Sequence, residues 1–246
     1  MRAFGRQVLA SILVNSIYEM TNYPVILINT VLSPLSFLIV ITFVSKGALI
    51  GEAIEGGFIM SMFSSGTSLQ GDLSHLKNDF KLQDMVVSSP TAPVAYVTGM
   101  ALAEVIYSLP ALGVLVVLAA IFLHPGVAGA LELLAVLLMM FLASVSIGFL
   151  LSTFSSDIVQ SFAFSRLIST LFSTLPPVYY PITYVPYPFR YAAYLSPTTY
   201  AAEIAQQAAG LIQLSQFQIE AAWAVLAAVS AATLLLAVRK ARWREV

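Results

Sequence analysis

Two charged side chains stand inside long apolar stretches of this sequence, and their chemistry most needs an explanation. Glu104 lies in the stretch 94–122, and Arg166 lies in the stretch 158–175. Burying a charge in apolar surroundings is costly, so such residues mark functional sites by default. At ~1.5 Å of helix rise per residue both lie on the order of 12–17 Å from the same membrane face, so they can pair. Two roles remain open for this pair: it holds two helices together, or it forms part of a substrate path.

The other reactive side chains form no catalytic or metal-binding pattern. The chain has no cysteine and two histidines, and it contains no G-x-x-x-x-G-K-[ST] phosphate loop, H-E-x-x-H pair or G-x-S-x-G elbow. The carboxylates are scattered, and His75 and His124 fall in loops expected on opposite sides of a bilayer. We therefore expect no catalytic residue, no metal site and no cofactor bound by this chain.

The composition determines where these residues must reside. Of the 246 residues, 59% are hydrophobic and 9% are charged, and the mean hydropathy is +0.89. Soluble domains carry roughly 25% charged residues, so this chain cannot coat a water-soluble globule. The net charge of −1 gives no basic field that would attract nucleic acid. The composition predicts a polytopic membrane protein.

Six segments are long and apolar enough to be interpreted as membrane-spanning helices of about 20 residues. They are 24–44, 56–71, 94–122, 133–153, 158–175 and 219–238. The second segment is the weakest by hydropathy, because serines such as Ser64 and Ser68 alternate with glycines. Such residues favour close helix packing or a polar path more than lipid contact.

Residues 1–22 have an apolar stripe at helical spacing and a polar remainder that includes Arg6 and Glu19. This pattern is typical of a helix lying in the membrane interface. A soluble amphipathic helix packed on a partner protein is the alternative.

The segment 72–93 is polar, with a few apolar residues at helical spacing, and a helix there would end before Pro90. An ordinary solvated loop and a helix docked into a groove of another protein both fit it. The residues of interest are Lys77, Asp79, Phe80, Lys81, Asp84, Met85 and Val86.

The segment 176–210 contains six prolines and is rich in tyrosine. Proline precludes one continuous helix, and tyrosine favours the headgroup level of a membrane, so short broken helices at the interface are expected. Tyr179, Tyr180 and Tyr184 serve there either as interface anchors or as contacts for an amphipathic substrate.

Basic residues predict the orientation. With six spans, both ends and the loop carrying Lys77 and Lys81 share one side, which holds eight lysines and arginines, whereas the opposite loops hold only Lys46 and Arg190. The positive-inside rule therefore predicts that both termini are cytoplasmic. We expect the protein to reside in the cell (plasma) membrane.

The whole layout resembles the permease subunit of an ABC-2 type exporter. Residues 85–90, followed by Gly99, resemble the family's L-x-x-S-P-x-x-x-x-x-x-x-G step. Residues 176–186 and 195–200 resemble its G-x-x-Y-P-x-x-x-x-P and N-P-x-T-Y stretches. Ser196 stands where asparagine is common, and Pro176-Pro177 stands where a Ser-Gly pair is frequent.

The resemblance implies an all-α integral membrane fold: one domain over 1–246 with six transmembrane helices, an interfacial N-terminal helix, a cytoplasmic coupling helix and extracellular re-entrant helices. It also implies a homodimer that works with two copies of a separate ATPase, which would hold ATP and Mg²⁺. The coupling helix around 72–88 would seat in that ATPase. The substrate would be an amphipathic drug, a lipid or a related compound. An ATP-independent secondary transporter or channel, and a membrane-embedded enzyme, are the alternatives.

Overall fold

The computed structural model describes residues 2–78, 93–152, 154–155, 157–174 and 176–240. The regular secondary structure of these residues is helical throughout, without a strand. Four helical segments are long and apolar enough to cross a bilayer. They are Leu27–Val44, Ala95–Phe122, Val127–Ser152 and Gln216–Leu236. The expectation of an all-α protein with several membrane-spanning helices is thus confirmed for the described residues.

The N-terminal residues form one helical stretch with a local change of pitch. Helix α1 (Arg2–Ile12) leads into a π-helical turn (Leu13–Ile17) and then into α2 (Tyr18–Asn22). The stretch ends at Tyr23, whose φ of −128° and ψ of 70° are not helical. Pro24 then occupies the first turn of the next helix, where its missing N–H costs no hydrogen bond. The bounds agree with the predicted helix over 1–22.

Helix α3 (Pro24–Val44) is followed by α4 (Ile50–Asn78), which lies at the centre of the molecule. Residues 51–63 of α4 are all buried. Its 29 residues extend over ~43 Å at the usual helical rise. The helix is thus longer at both ends than the predicted segment 56–71, and residues 72–78 continue it instead of starting a separate element.

The neighbours of α4 are helices α5 (Pro93–Phe122), α6 (Val127–Ser152) and α7 (Ile158–Thr174). Helix α4 packs against α3, α5, α6 and α7. Small residues allow its close approach to α6, where a Cβ added to Gly66 would meet the Oγ of Ser144 at 2.0 Å. Helix α6 begins six residues before the predicted segment 133–153, because apolar residues already follow Gly126.

The proline-rich segment forms short helices separated by bends. A 3₁₀ turn (Ile182–Tyr184) is followed by α8 (Arg190–Ala193) and α9 (Pro197–Ala208). Ser196 caps α9, because its Oγ accepts a hydrogen bond from the backbone N–H of Thr198 at 3.3 Å. Helix α9 packs against α4 and α6, and the last described helix, α10 (Gln216–Lys240), covers α6 and α9 from outside.

Candidate functional site

A cavity of about 420 Å³ lies between α2, α3, α4, α5 and the chain that follows α7. This volume is within the range of small-molecule binding sites in proteins, roughly 300–1,000 Å³. Each helix contributes one face to the wall, and these faces combine polar residues with apolar surface. The cavity is half open, since Ser64, Ser68 and Asp72 of its lining are exposed. Polar side chains between helices are the arrangement expected of a site that handles a ligand in a membrane.

Helix α4 supplies the longest wall of this cavity. Its lining residues include Ser61, Ser64, Ser65, Ser68 and Asp72. Their spacing of three and four residues places them on one helix face, and the stripe extends over ~17 Å. The serines that lower the hydropathy of this segment thus line the cavity, and Gly66 allows the close contact with α6.

Helices α3 and α5 supply the facing walls. Helix α3 contributes Asn29, Ser33 and Phe37, and α5 contributes Glu104 and Tyr107. Pro34 also lines the cavity from within α3. A proline removes one backbone hydrogen bond of the helix, so this wall is locally less regular.

Three carboxyl groups meet at the end of the cavity near α2. Glu104 is 6% exposed, and its Oε2 accepts a hydrogen bond from the Oγ of Ser68. Its carboxyl group is also hydrogen-bonded to the side chain of Asp72. The hydroxyl of Tyr107 donates to Oε2 of Glu19. None of the described lining residues is a lysine, an arginine or a histidine, so this end is acidic.

The opposite end of the cavity is aromatic. The ring of Tyr179 stacks on Phe37 with 5.3 Å between the centroids and 17° between the planes. Tyr179 is only 4% exposed, and burial raises the pKa of its hydroxyl, so the phenol stays neutral. Met60 completes this end from α4.

The comparisons with known proteins decide the family. A sequence model of the ABC-2 type transporter family matches residues 7–209, which include every lining residue of the cavity. The chain belongs to the ABC-2 type transporter family. As an ABC-2 permease with apolar membrane-crossing helices and no phosphate loop, it is a transport component and a multi-pass membrane protein. No curated protein matches the chain significantly.

The structure of this ABC-2 permease brings together four of the residues singled out from the sequence. Ser64, Ser68, Glu104 and Tyr179 all line the cavity. Tyr184, by contrast, is 65% exposed on the 3₁₀ turn and lies outside the lining. Tyr180 is half-buried beside Tyr179 and does not line the cavity either.

The pair that the sequence allowed between Glu104 and Arg166 does not form in this chain. Arg166 is exposed on α7, and no ion pair joins it to Glu104 among the described residues. The carboxyl group of Glu104 faces Ser68 and Asp72 instead. The pairing hypothesis was based on the equal depth of the two residues in a bilayer. Two residues at equal depth can still lie on helix faces that point away from each other.

The residues expected to contact an ATPase fall mostly beyond the described ranges. Lys77 lies in the last turn of α4. The others lie outside the residues that the structure describes: Asp79, Phe80, Lys81, Asp84, Met85 and Val86. Their role remains a prediction from the sequence.

Three residues of the acidic end were missed by sequence reasoning. Asp72 continues the three-and-four spacing of the α4 serines, so that stripe was a usable signal. Tyr107 follows Glu104 by three residues and shares its helix face. Glu19 had no comparable signal, because only the docking of the N-terminal helices on α5 brings it to Tyr107.

Another carboxyl group, that of Glu203, lies away from the cavity, in the short helices of the proline-rich segment. The hydroxyl of Tyr194 donates to Oε1 of Glu203 at 3.1 Å. Burial, together with the carboxylate of Glu203, raises the pKa of Tyr194 to about 12. Burial also raises the pKa of Glu203. The contact ties α8 to α9 and has no described link to the cavity.

Proposed function

We propose that this chain is the permease subunit of an ATP-driven ABC-2 exporter, acting as a homodimer with two copies of a separate ATPase subunit. The substrate is an amphipathic drug, a lipid or a related compound. The family match over residues 7–209 carries the proposal, because it supplies the transport function in a chain without a phosphate loop. The cavity beside α4, with polar residues in its lining, supports the proposal.

In this proposal, helices α4 and α7 also cross the membrane, in addition to the four apolar helices. Helix α4 is surrounded by other helices, so its serines and glycines need not face lipid. Helix α7, with 17 residues, reaches ~26 Å, which is close to the ~30 Å hydrocarbon core of a bilayer. Six spans return the chain to its starting side and place both basic ends in the cytoplasm of the plasma membrane.

In this proposal α4 links the cavity to the ATPase. Ser68 and Asp72 line the cavity, and the same helix continues to Asn78, where the segment with Phe80 and Met85 begins. A continuous helix is stiff, so a displacement at its cytoplasmic end reaches the cavity wall. ATP and Mg²⁺ are held by the ATPase subunits. When the two ATPase subunits close on each other, they would move the cytoplasmic end of α4.

The short helices after α7 would form the extracellular lid. Tyr179 lines the cavity, whereas Tyr184 is exposed beyond it, so the segment joins the cavity to the surface. Its proline-broken backbone fits re-entrant helices that dip into the outer half of the membrane. Tyr180 and Tyr184 would lie along the exit of the substrate.

Co-purification tests the proposal. Tagged permease is solubilised from its native membrane, and the ATPase that it retains and the turnover of that ATPase are measured. Phe80→Glu is expected to reduce retention about tenfold, because a buried carboxylate in an apolar docking groove is strongly disfavoured. Phe217→Glu is the matched control, since Phe217 is 78% exposed just inside the start of α10.

Equal retention of wild type and Phe80→Glu would remove the coupling segment from the interface. Transport by reconstituted permease without any nucleotide would overturn the ATP-driven function and favour a secondary transporter or channel.

A further inference from the structure

The exposed side of the proline-rich segment is more apolar than its buried side, which is the reverse of a surface that faces water. We propose that residues 187–195 lie in the headgroup region of the bilayer, where their aromatic side chains contact phospholipids and anchor the segment. The partner of this surface is thus a lipid surface. The inference goes beyond the proposed function, because it requires neither an ATPase nor transport.

Four large apolar or aromatic side chains are exposed within these nine residues. Tyr187, Phe189, Tyr191 and Leu195 each have at least 65% of their surface exposed. Single exposed side chains of this kind are normal in proteins, but a dense group of them marks contact with a membrane or with another protein. The stretch therefore has an unfilled contact on its outer side.

The inner side of the same segment carries small and polar residues. Ala193, Thr198 and Thr199 are all buried. The Oγ1 of Thr199 donates to the backbone O of Ala193 at 2.6 Å, and the Oγ1 of Thr198 donates to the backbone O of Phe172 at 3.2 Å. The hydroxyl groups are thus satisfied within the protein, and the large rings are left outside. This distribution suits a surface that faces lipid, which offers polar groups no partner.

The exposed rings favour the headgroup region over the hydrocarbon core. Tyr187 and Tyr191 contact each other edge to face, with 5.3 Å between their centroids, and their hydroxyls are hydrogen-bonded to each other. The pair therefore presents two apolar rings whose polar ends meet. Tyrosine is enriched at the membrane–water interface because one end of its side chain is apolar and the other is polar.

Arg190 holds the backbone of this stretch in place. It is the only charged residue in the sequence 176–202. Its Nε donates to the backbone O of Val185 at 2.8 Å, and its Nη2 donates to the backbone O of Thr183 at 2.7 Å. Irregular backbone near lipid needs such internal partners for its carbonyl groups. The stretch thus meets this requirement with its one charged side chain.

The neighbouring helices bring this surface to the bilayer. Helix α9, which follows the stretch, packs against α6 and α10, and both of these are long and apolar enough to cross a bilayer. The apolar window of α10 begins at its first residue, Gln216. The short helices therefore lie close to the place where the chain enters the membrane, and phospholipid headgroups surround that place.

Site-directed spin labelling tests the proposal, because the chain has no cysteine to remove. Tyr191→Cys and Leu195→Cys are labelled with a nitroxide in full-length permease in phosphatidylcholine vesicles. The collision rates of each label with O₂, which partitions into lipid, and with a water-soluble nickel chelate are measured. The ratio of the O₂ rate to the nickel rate is expected to exceed that of Ala48→Cys at least about threefold and to stay below that of Leu138→Cys.

The two reference positions represent water and the hydrocarbon core. Ala48 is exposed in the turn between α3 and α4, and Leu138 is exposed at the middle of α6. If Tyr191→Cys aggregates, Leu195→Cys carries the test, since Leu195 has no aromatic partner to lose.

Three results would overturn the proposal. A ratio equal to that of Ala48→Cys would place the stretch in water, and a ratio equal to that of Leu138→Cys would place it in the hydrocarbon core. Protection of both labels from both reagents would show that a second copy of the chain covers them. The assay contains no ATPase and no nucleotide, so its result is independent of the ATP-driven function.

Discussion

Helices α4 and α10 have similar lengths, 29 and 25 residues, but opposite surroundings. Residues 51–63 of α4 are all buried, and the helix packs against five others. In α10 only 11% of the apolar window Gln216–Leu236 is buried, and side chains such as Leu234 and Leu235 are exposed. The apolar helix is therefore the peripheral one, and the helix with more polar residues is central.

This difference follows from the solvent. A helix that faces lipid must be apolar over most of its surface, since lipid offers no partner for polar groups. A helix enclosed by other helices packs by close contact and hydrogen bonds, for which small and polar residues serve better. Hydropathy thus measures exposure to lipid, and it underestimates a helix such as α4.

The largest expected effect concerns the contact of α4 with α6. Gly66→Ala places a Cβ 2.0 Å from Oγ of Ser144 and 2.7 Å from the backbone N of Val145, and the backbone cannot move aside. We expect a loss of about 3 kcal/mol in the free energy of unfolding, measured by SDS titration of the purified chain. Gly113→Ala on α5 is the control, because nothing lies within 4 Å of its added Cβ. Equal stability of the two variants would show that α4 and α6 are farther apart.

The next effect concerns water on the polar face of α4. The chain has no cysteine, so single cysteines can be introduced without background. Ser64→Cys and Ser68→Cys, on the cavity wall, are expected to react with a charged methanethiosulfonate at least about tenfold faster than Leu235→Cys. The reason is that the reactive thiolate forms in water and not in lipid. Reaction rates are measured in proteoliposomes, and equal rates would remove the distinction between the two helices.

Much of the fold could be predicted from the sequence, because exposed apolar helices have an unambiguous pattern. The third and last segments, 94–122 and 219–238, lie within a few residues of α5 and α10. The true length of α4 was not predictable in the same way. The last turns of α4, which end at Asn78, contain His75 and Lys77. Polar residues of this kind are typical of a loop, so the sequence alone does not indicate that the helix continues past its apolar part.

The cavity was predictable only in part. Ser64, Ser68 and Glu104 were singled out because polar residues in apolar surroundings need a reason. Their convergence, and the exclusion of Arg166, depend on how α3, α4 and α5 are rotated about their axes. That rotation is determined by packing contacts such as the stack of Phe37 on Tyr179, which join residues far apart in the sequence.

A smaller effect is expected at the polar contact between α4 and α7. The side-chain Nε2 of Gln70 donates to the backbone O of Ser161 at 3.1 Å, and its Oε1 accepts from Oγ of Ser165 at 3.0 Å. The same Nε2 also donates to Oγ of Ser155 at 3.3 Å. Gln70→Leu removes all three bonds, and we expect a loss of roughly 1 to 2 kcal/mol in SDS titration. Gln216→Leu, at an exposed position of α10, is the matched control and should change stability by less. A larger loss in the control would contradict the central role of α4.

The smallest effect is expected on α10 itself. Oγ of Ser230 donates to the backbone O of Leu226 in its own helix at 2.8 Å and reaches the backbone O of Met139 on α6 only at 3.5 Å. Ser230→Ala therefore removes one bond within the helix and one weak bond between helices. We expect a loss of about 0.5 kcal/mol or less in SDS titration, because interhelical hydrogen bonds in membranes average about 0.6 kcal/mol. A loss as large as that of Gln70→Leu would show that α10 is held by polar contacts and is more than an apolar cover.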